Sequence, residues 1–110
     1  MSELDLLQGT LDVLVLKTLA RGPLHGYAIA RWIKDHSDGT LTVEDRALYV
    51  SLHRLEERGL LSAKWGASEN NRKAKFYALT AAGRRALRSK TADFESYAGA
   101  VLKILAKSEG

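Results

Sequence analysis

The chain has 110 residues, no cysteine, and 17 Lys and Arg against 13 Asp and Glu, a formal net charge of +4. That length holds one small domain whose core is marginal unless apolar surface is also buried against another chain, and the lack of cysteine excludes a disulfide framework or a thiolate zinc site. No apolar run approaches the ~20 residues that span a bilayer, and the N-terminus lacks a signal-like opening, so a soluble cytoplasmic protein with no membrane partner is expected.

Leu4, Leu7, Leu11 and Leu14 recur at helical spacing, and Val13, Leu16 and Leu19 add apolar surface on other sides. This predicts a first helix covered on more than one face. Gly22-Pro23 ends it, since proline disfavours a helical residue before it. A second helix is expected over His25 to His36, with Ile29, Trp32, Ile33 and His36 on one side and Arg31, Lys34 and Asp35 toward solvent; Trp32 reads as a core residue. Ser37-Asp38-Gly39-Thr40 suits a turn and Leu41-Thr42-Val43 a short extended piece. A third helix then begins near Glu44 or Asp45, where an acidic group favours the positive end of the helix dipole.

Leu48, Leu52 and Leu55 form one buried stripe on that helix. The outward arc carries Arg46, Val50, His53, Arg54 and Glu57, with Tyr49 on its border. After Gly59, Leu61, Ala63 and Trp65 alternate with Leu60, Ser62 and Lys64, the period of a strand. The return strand is expected over Arg72 to Leu79, across a loop from Gly66 to Asn71. Lys64, Arg72, Lys73 and Lys75 flank that loop and make it a basic wing. Between Leu60 and Lys90 there are eight cations against one anion, Glu69, a local net charge of +7. A charge run is more often a plain solvated face, but its place beside an amphipathic helix and a hairpin favours DNA as the partner.

Thr80 suits the N-cap of a last helix that reaches Lys107. Within it Leu87, Thr91, Phe94, Ala98, Val101 and Leu105 follow alternating steps of four and three, the seam of a coiled coil, and Tyr97, Leu102 and Ile104 widen the stripe. So small a domain has little core to cover such a helix, so a homodimer interface is expected at Leu87, Phe94, Tyr97, Ala98, Val101 and Leu105, joined by Leu7 and Leu11. The alternative is that the helix packs back on the first one.

Catalytic chemistry is weak. His25, His36 and His53 lie far apart, no glycine pattern forms a phosphate loop, and Glu56 and Glu57 diverge by about 100° on their helix. No enzyme, metal or cofactor is therefore expected. DNA binding uses what the chain supplies: Arg46 and Arg54 suit guanine or phosphate, His53 a base edge or phosphate, and the Tyr49 hydroxyl a phosphate unless its ring packs on the core margin.

The ordered set Gly9-Thr10-Leu11, Pro23-Leu24-His25-Gly26-Tyr27, Leu48-Tyr49-Val50-Ser51-Leu52-His53-Arg54-Leu55-Glu56, Gly59-Leu60-Leu61, Trp65, Phe76-Tyr77-Ala78-Leu79-Thr80 and Gly83-Arg84 resembles the PadR family of transcriptional regulators over nearly the whole chain. The resemblance implies a mainly α fold with a small β-hairpin, a winged helix-turn-helix over residues 1–80 and one dimerisation helix over 81–110. It also implies a dimeric repressor on double-stranded DNA with a pseudo-palindromic operator, whose third helix enters the major groove. By the same resemblance Tyr49 faces DNA, and His25 and Tyr27 lie near its backbone. Val50 stands where a proline commonly follows the tyrosine, and Asp45-Arg46-Ala47 replaces the usual small approach to that helix, so base preference does not carry over from a relative. Some relatives bind aromatic or drug-like effectors between protomers; here Phe94, Tyr97 and Val101 are placed for such a cavity, but ordinary dimer core is favoured and no effector is named. The competing expectation is a winged-helix module that binds protein instead of specific DNA.

Overall fold

The first and third helices carry most of the apolar side chains, and the chain folds so that these two stripes meet. In the computed structural model, which describes residues 7–108, α1 spans Gln8–Thr18, β1 Leu24–His25, α2 Gly26–His36, α3 Asp45–Glu57, β2 Leu61–Ala67, β3 Lys73–Leu79 and α4 Ala81–Leu105. One core cluster joins Leu11, Val15, Leu16 and Leu19 to Ile29 and Ile33 of α2, Leu48, Leu52 and Leu55 of α3, and Leu61 and Tyr77 of the sheet. As expected, α1 is covered on more than one face. Leu4 lies outside the described residues, and Leu7 is the extended residue just before α1. Leu11 corrects an expectation: at 1 % exposure it is fully committed to the core of its own chain and presents nothing to a second copy.

The sequence pattern pointed to a two-stranded hairpin, whereas the sheet has three antiparallel strands in the order β1-β3-β2. The extra strand is Leu24–His25, where α2 was expected to begin. His25 instead has extended backbone, which lets Leu24 pair with Tyr77 and His25 with Phe76. Its Nδ1 accepts the Ala28 N–H at 3.3 Å and so caps α2, satisfying one of the donors a helix start leaves unpaired. Trp32 is half-buried against the core and stacks on His36, ring centroids 3.8 Å apart. The wing is longer than expected. Gly66 and Ala67 stay in the ladder, with Ala67 opposite Lys73. The Phe76 ring lies across Gly66, where an added Cβ would come within 3.2 Å of it. The turn follows at 68–72, with Asn71 at φ 57°.

Helix α3 ends on Gly59 at φ 76°. The Gly59 N–H donates to Glu56 O and the Leu60 N–H to Leu55 O, both at 3.0 Å, a Schellman closure that only a residue tolerant of positive φ completes without strain. The corner is then locked from above. Thr80 Oγ1 donates to Gly59 O at 2.7 Å and accepts the Gly83 N–H at 3.0 Å, so one hydroxyl caps α4 and pins the wing root. Gly83 passes so near this corner that a Cβ on it would stand 2.0 Å from Leu60 O.

Helix α4 has 25 residues, a rod of about 37 Å. It stops at Leu105, two residues short of the expected Lys107. Its first turns pack Ala86 and Leu87 on the core. Beyond them Tyr97, Leu102, Ile104 and Leu105 are well exposed, and Phe94 and Val101 partly so. Among the described residues no helix is long and apolar enough to cross a membrane.

Replacing Gly83 by Ala forces the α4 start off this corner. The expected cost is about 1–3 kcal/mol, the range for overpacking a tight site, read as a lower urea midpoint with an unchanged m-value. An unchanged midpoint would mean that α4 does not approach Leu60 so closely.

Candidate nucleic-acid interface

Packing three leucines of α3 inward leaves its opposite face in solvent. Arg46, Tyr49, Val50 and His53 are all exposed there, Tyr49 at 65 %. Tyr49 and His53, one turn apart, meet edge to face with centroids 5.8 Å apart. This is a large, preorganised aromatic and hydrogen-bonding surface on a rigid element.

Beside it lies a cleft of about 460 Å³ between the start of α2, α3 and β3. His25, Tyr27 and Tyr49 form its rim, Lys75 and Tyr77 its β3 wall, and Leu48 its apolar floor. Tyr27 is 72 % exposed, and the His25 ring lies between it and Phe76, 6.5 Å from the first and 5.3 Å from the second. Residues expected at the interface from three separate segments therefore share one opening.

The wing cations are not equivalent. Lys64, Arg72 and Lys73 are exposed. Lys73 Nζ stands 5.1 Å from the centroid of the exposed Trp65 ring, a cation–π contact. Lys75 is drawn inward: its Nζ donates to Glu56 Oε1 at 3.3 Å and lies 5.5 Å from the Tyr77 ring. The hydrogen bond from Glu56 is the main cause of a Lys75 pKa raised above its usual value. Burial pushes the Tyr77 hydroxyl up as well, so near neutral pH Lys75 is a cation and Tyr77 a neutral phenol. The pair also neutralises a carboxylate that would otherwise face the same region.

Arg54 differs most from expectation. Read from sequence as part of the outward arc, it is turned back toward α1: its Nη2 donates to Asp12 Oδ1, and its side chain is 24 % exposed. The buried Ser51 hydroxyl donates to the same oxygen at 2.6 Å. With the Gln8 carboxamide oxygen turned inward, that oxygen accepts from both Arg54 Nη atoms at 3.1 Å. Arg54 thus belongs to the contact between α1 and α3. Sequence reasoning also passed over Asp12, whose signal was a carboxylate set directly beside Leu11 in an apolar helix.

Residues 15–89 match the family described as the transcriptional regulator PadR-like family. The chain belongs to that family. Solved structures agree: a PadR family transcriptional regulator from Eggerthella lenta is 35 % identical with a TM-score of 0.76, covering 92 % of this chain and 86 % of that one. A transcriptional regulator from Clostridium thermocellum is 25 % identical with a TM-score of 0.79, over 91 % of this chain and 96 % of that one. A protein from Streptococcus mutans shares the fold over 99 % of both chains, with a TM-score of 0.81 at 23 % identity. Among curated proteins, an uncharacterized one from Lysinibacillus sphaericus is 26 % identical over 80 residues, 73 % of each chain. The PadR protein described here is thus a transcriptional regulator with a winged-helix, DNA-binding type of fold, and PadR proteins are regulators and not enzymes.

The Lys75–Glu56 pair gives a local test. In Glu56→Gln the Lys75 pKa is expected to fall back toward the ordinary lysine value, followed by NMR titration of its side-chain methylene signals. A titration identical to wild type would mean that Glu56 is not its partner.

Proposed function

We propose that this PadR regulator is a homodimeric repressor that binds a pseudo-palindromic operator in the cytoplasm, with residues 1–80 reading DNA and residues 81–110 joining the two copies. The observation that carries the reading is the shared opening of α3 and the wing, where Tyr49 of the helix and Lys75 of the strand line one cleft. An α-helix fits the major groove, and cations beside it neutralise phosphates.

Within this reading Arg46 and His53 contact base edges, with Val50 against an apolar base surface. Lys64, Arg72 and Lys73 neutralise phosphates, while Tyr27, Tyr49 and His25 meet the backbone beside the groove. Lys75 lends its charge while keeping Glu56 neutralised. Arg54 is left out of the contact set. The two copies join through Phe94, Tyr97, Ala98, Val101 and Leu105 of α4 with Leu7 at its side; Leu87 adds its remaining surface. Two recognition helices then stand about one helical turn of DNA, ~34 Å, apart.

Selection of bound duplexes from a random pool at low salt is expected to enrich an inverted repeat; no enrichment would defeat specific recognition. Against the enriched duplex, Arg46→Ala or His53→Ala changes base preference, whereas Lys73→Ala weakens all sequences alike and lowers the salt slope by about 0.9. Undiminished binding after charge reversal at Lys64, Arg72 and Lys73 would remove the wing from the interface and favour a protein partner. For assembly, Val101→Asp with Leu105→Asp is expected to convert a dimer to a monomer in sedimentation equilibrium; a monomeric wild type would refute the dimer.

A further inference from the structure

We infer that Arg54 is a positioning residue: the Asp12–Arg54 pair sets the roll of α3 about its own axis, and thereby decides which side chains of the reading helix meet the bases. The inference rests on the DNA-reading role proposed above. Its structural basis is a network with two groups on each helix. Ser51 and Arg54 lie three apart on α3, so they share a face, and Gln8 and Asp12 lie four apart on α1 with the same result. Asp12 Oδ1 receives both α3 donors, and Gln8 closes over the outer side of the guanidinium.

The reason such a network matters is directionality. Leu48, Leu52 and Leu55 hold α3 on the core through apolar contact, which scales with area and tolerates a change of roll. Hydrogen bonds weaken steeply away from linear geometry. A fork-shaped guanidinium held by a carboxylate and an amide oxygen therefore fixes the rotation that leucine packing leaves soft. Base readout needs that rotation held closely, because bidentate contacts to a base edge fail when a side chain is displaced by about 1 Å. A buried ion pair is also a poor source of net stability, since desolvation offsets much of its attraction. Its contribution here is to selectivity.

That difference defines the test. In Asp12→Leu/Arg54→Met the pair is replaced by apolar groups, a change that commonly leaves stability intact. Affinity of the full chain is measured for the duplex enriched by wild type and for a random-sequence duplex, across a series of salt concentrations, beside thermal unfolding. We expect a folded protein whose preference for the enriched duplex falls tenfold or more while its binding to random duplex and its salt slope stay as in wild type. Arg54→Gln is expected to lose preference similarly, again at constant slope, and Arg54→Lys to recover part of it. A slope reduced by about 0.9 in Arg54→Gln would place Arg54 on a phosphate and overturn the inference. So would wild-type preference in the apolar double variant, or failure of that variant to fold, which would make the pair a stability element. Absence of any preferred duplex for wild type would overturn the DNA reading, and this inference with it.

Discussion

The close approach of Gly83 to the Gly59–Leu60 corner is the constraint on which the other parts depend. At that point α3 ends, β2 begins, β3 has just ended and α4 starts. Thr80 Oγ1 joins all of these by donating to Gly59 O while capping α4. The direction of the reading helix, the root of the wing and the departure of the long helix are therefore set by the same few backbone atoms. A methyl group there would push them apart, because backbone oxygen cannot yield as a flexible side chain can.

From this corner two kinds of surface leave the domain. One is polar and aromatic, where α3 and the wing flank a cleft and Lys75 neutralises Glu56. The other is the apolar stripe on α4, which runs past the end of the core. Their chemistry differs as their partners would: cations and hydrogen-bond donors serve a polyanion, whereas large apolar side chains in a helical stripe gain only by leaving water. The core itself supplies little more than a platform, and its precision comes from directional contacts at its edges. The Asp12 network is one of these. Among the described residues no buried side-chain nitrogen or oxygen lacks a partner, so the polar groups admitted to this small core are all satisfied.

The helices, their buried faces, the Thr80 cap and the Gly59 stop were legible in the amino-acid order, because each depends on side chains within a turn or two of one another. The basic wing was legible for a similar reason: strand alternation and charge are both local. Its extent was misjudged at Gly66, since glycine reads as a turn residue until Phe76 is seen lying over it from the neighbouring strand. The first strand was missed because two residues carry no period, and only their pairing with Phe76 and Tyr77, about fifty positions away, makes them a strand.

What the sequence determined by itself was the set of amphipathic elements, the sign of the charge on the wing and the ordered motifs of the PadR family. Tertiary structure alone decided how those faces were used. It turned Arg54 from the expected interface to Asp12, 42 positions away, drew Leu11 wholly into its own core, and paired Lys75 with Glu56. Periodicity tells which residues share a face of one element, but not which face of another element comes to meet it. That depends on how whole helices and strands dock, and docking is settled by close packing and hydrogen-bond geometry across long stretches of chain.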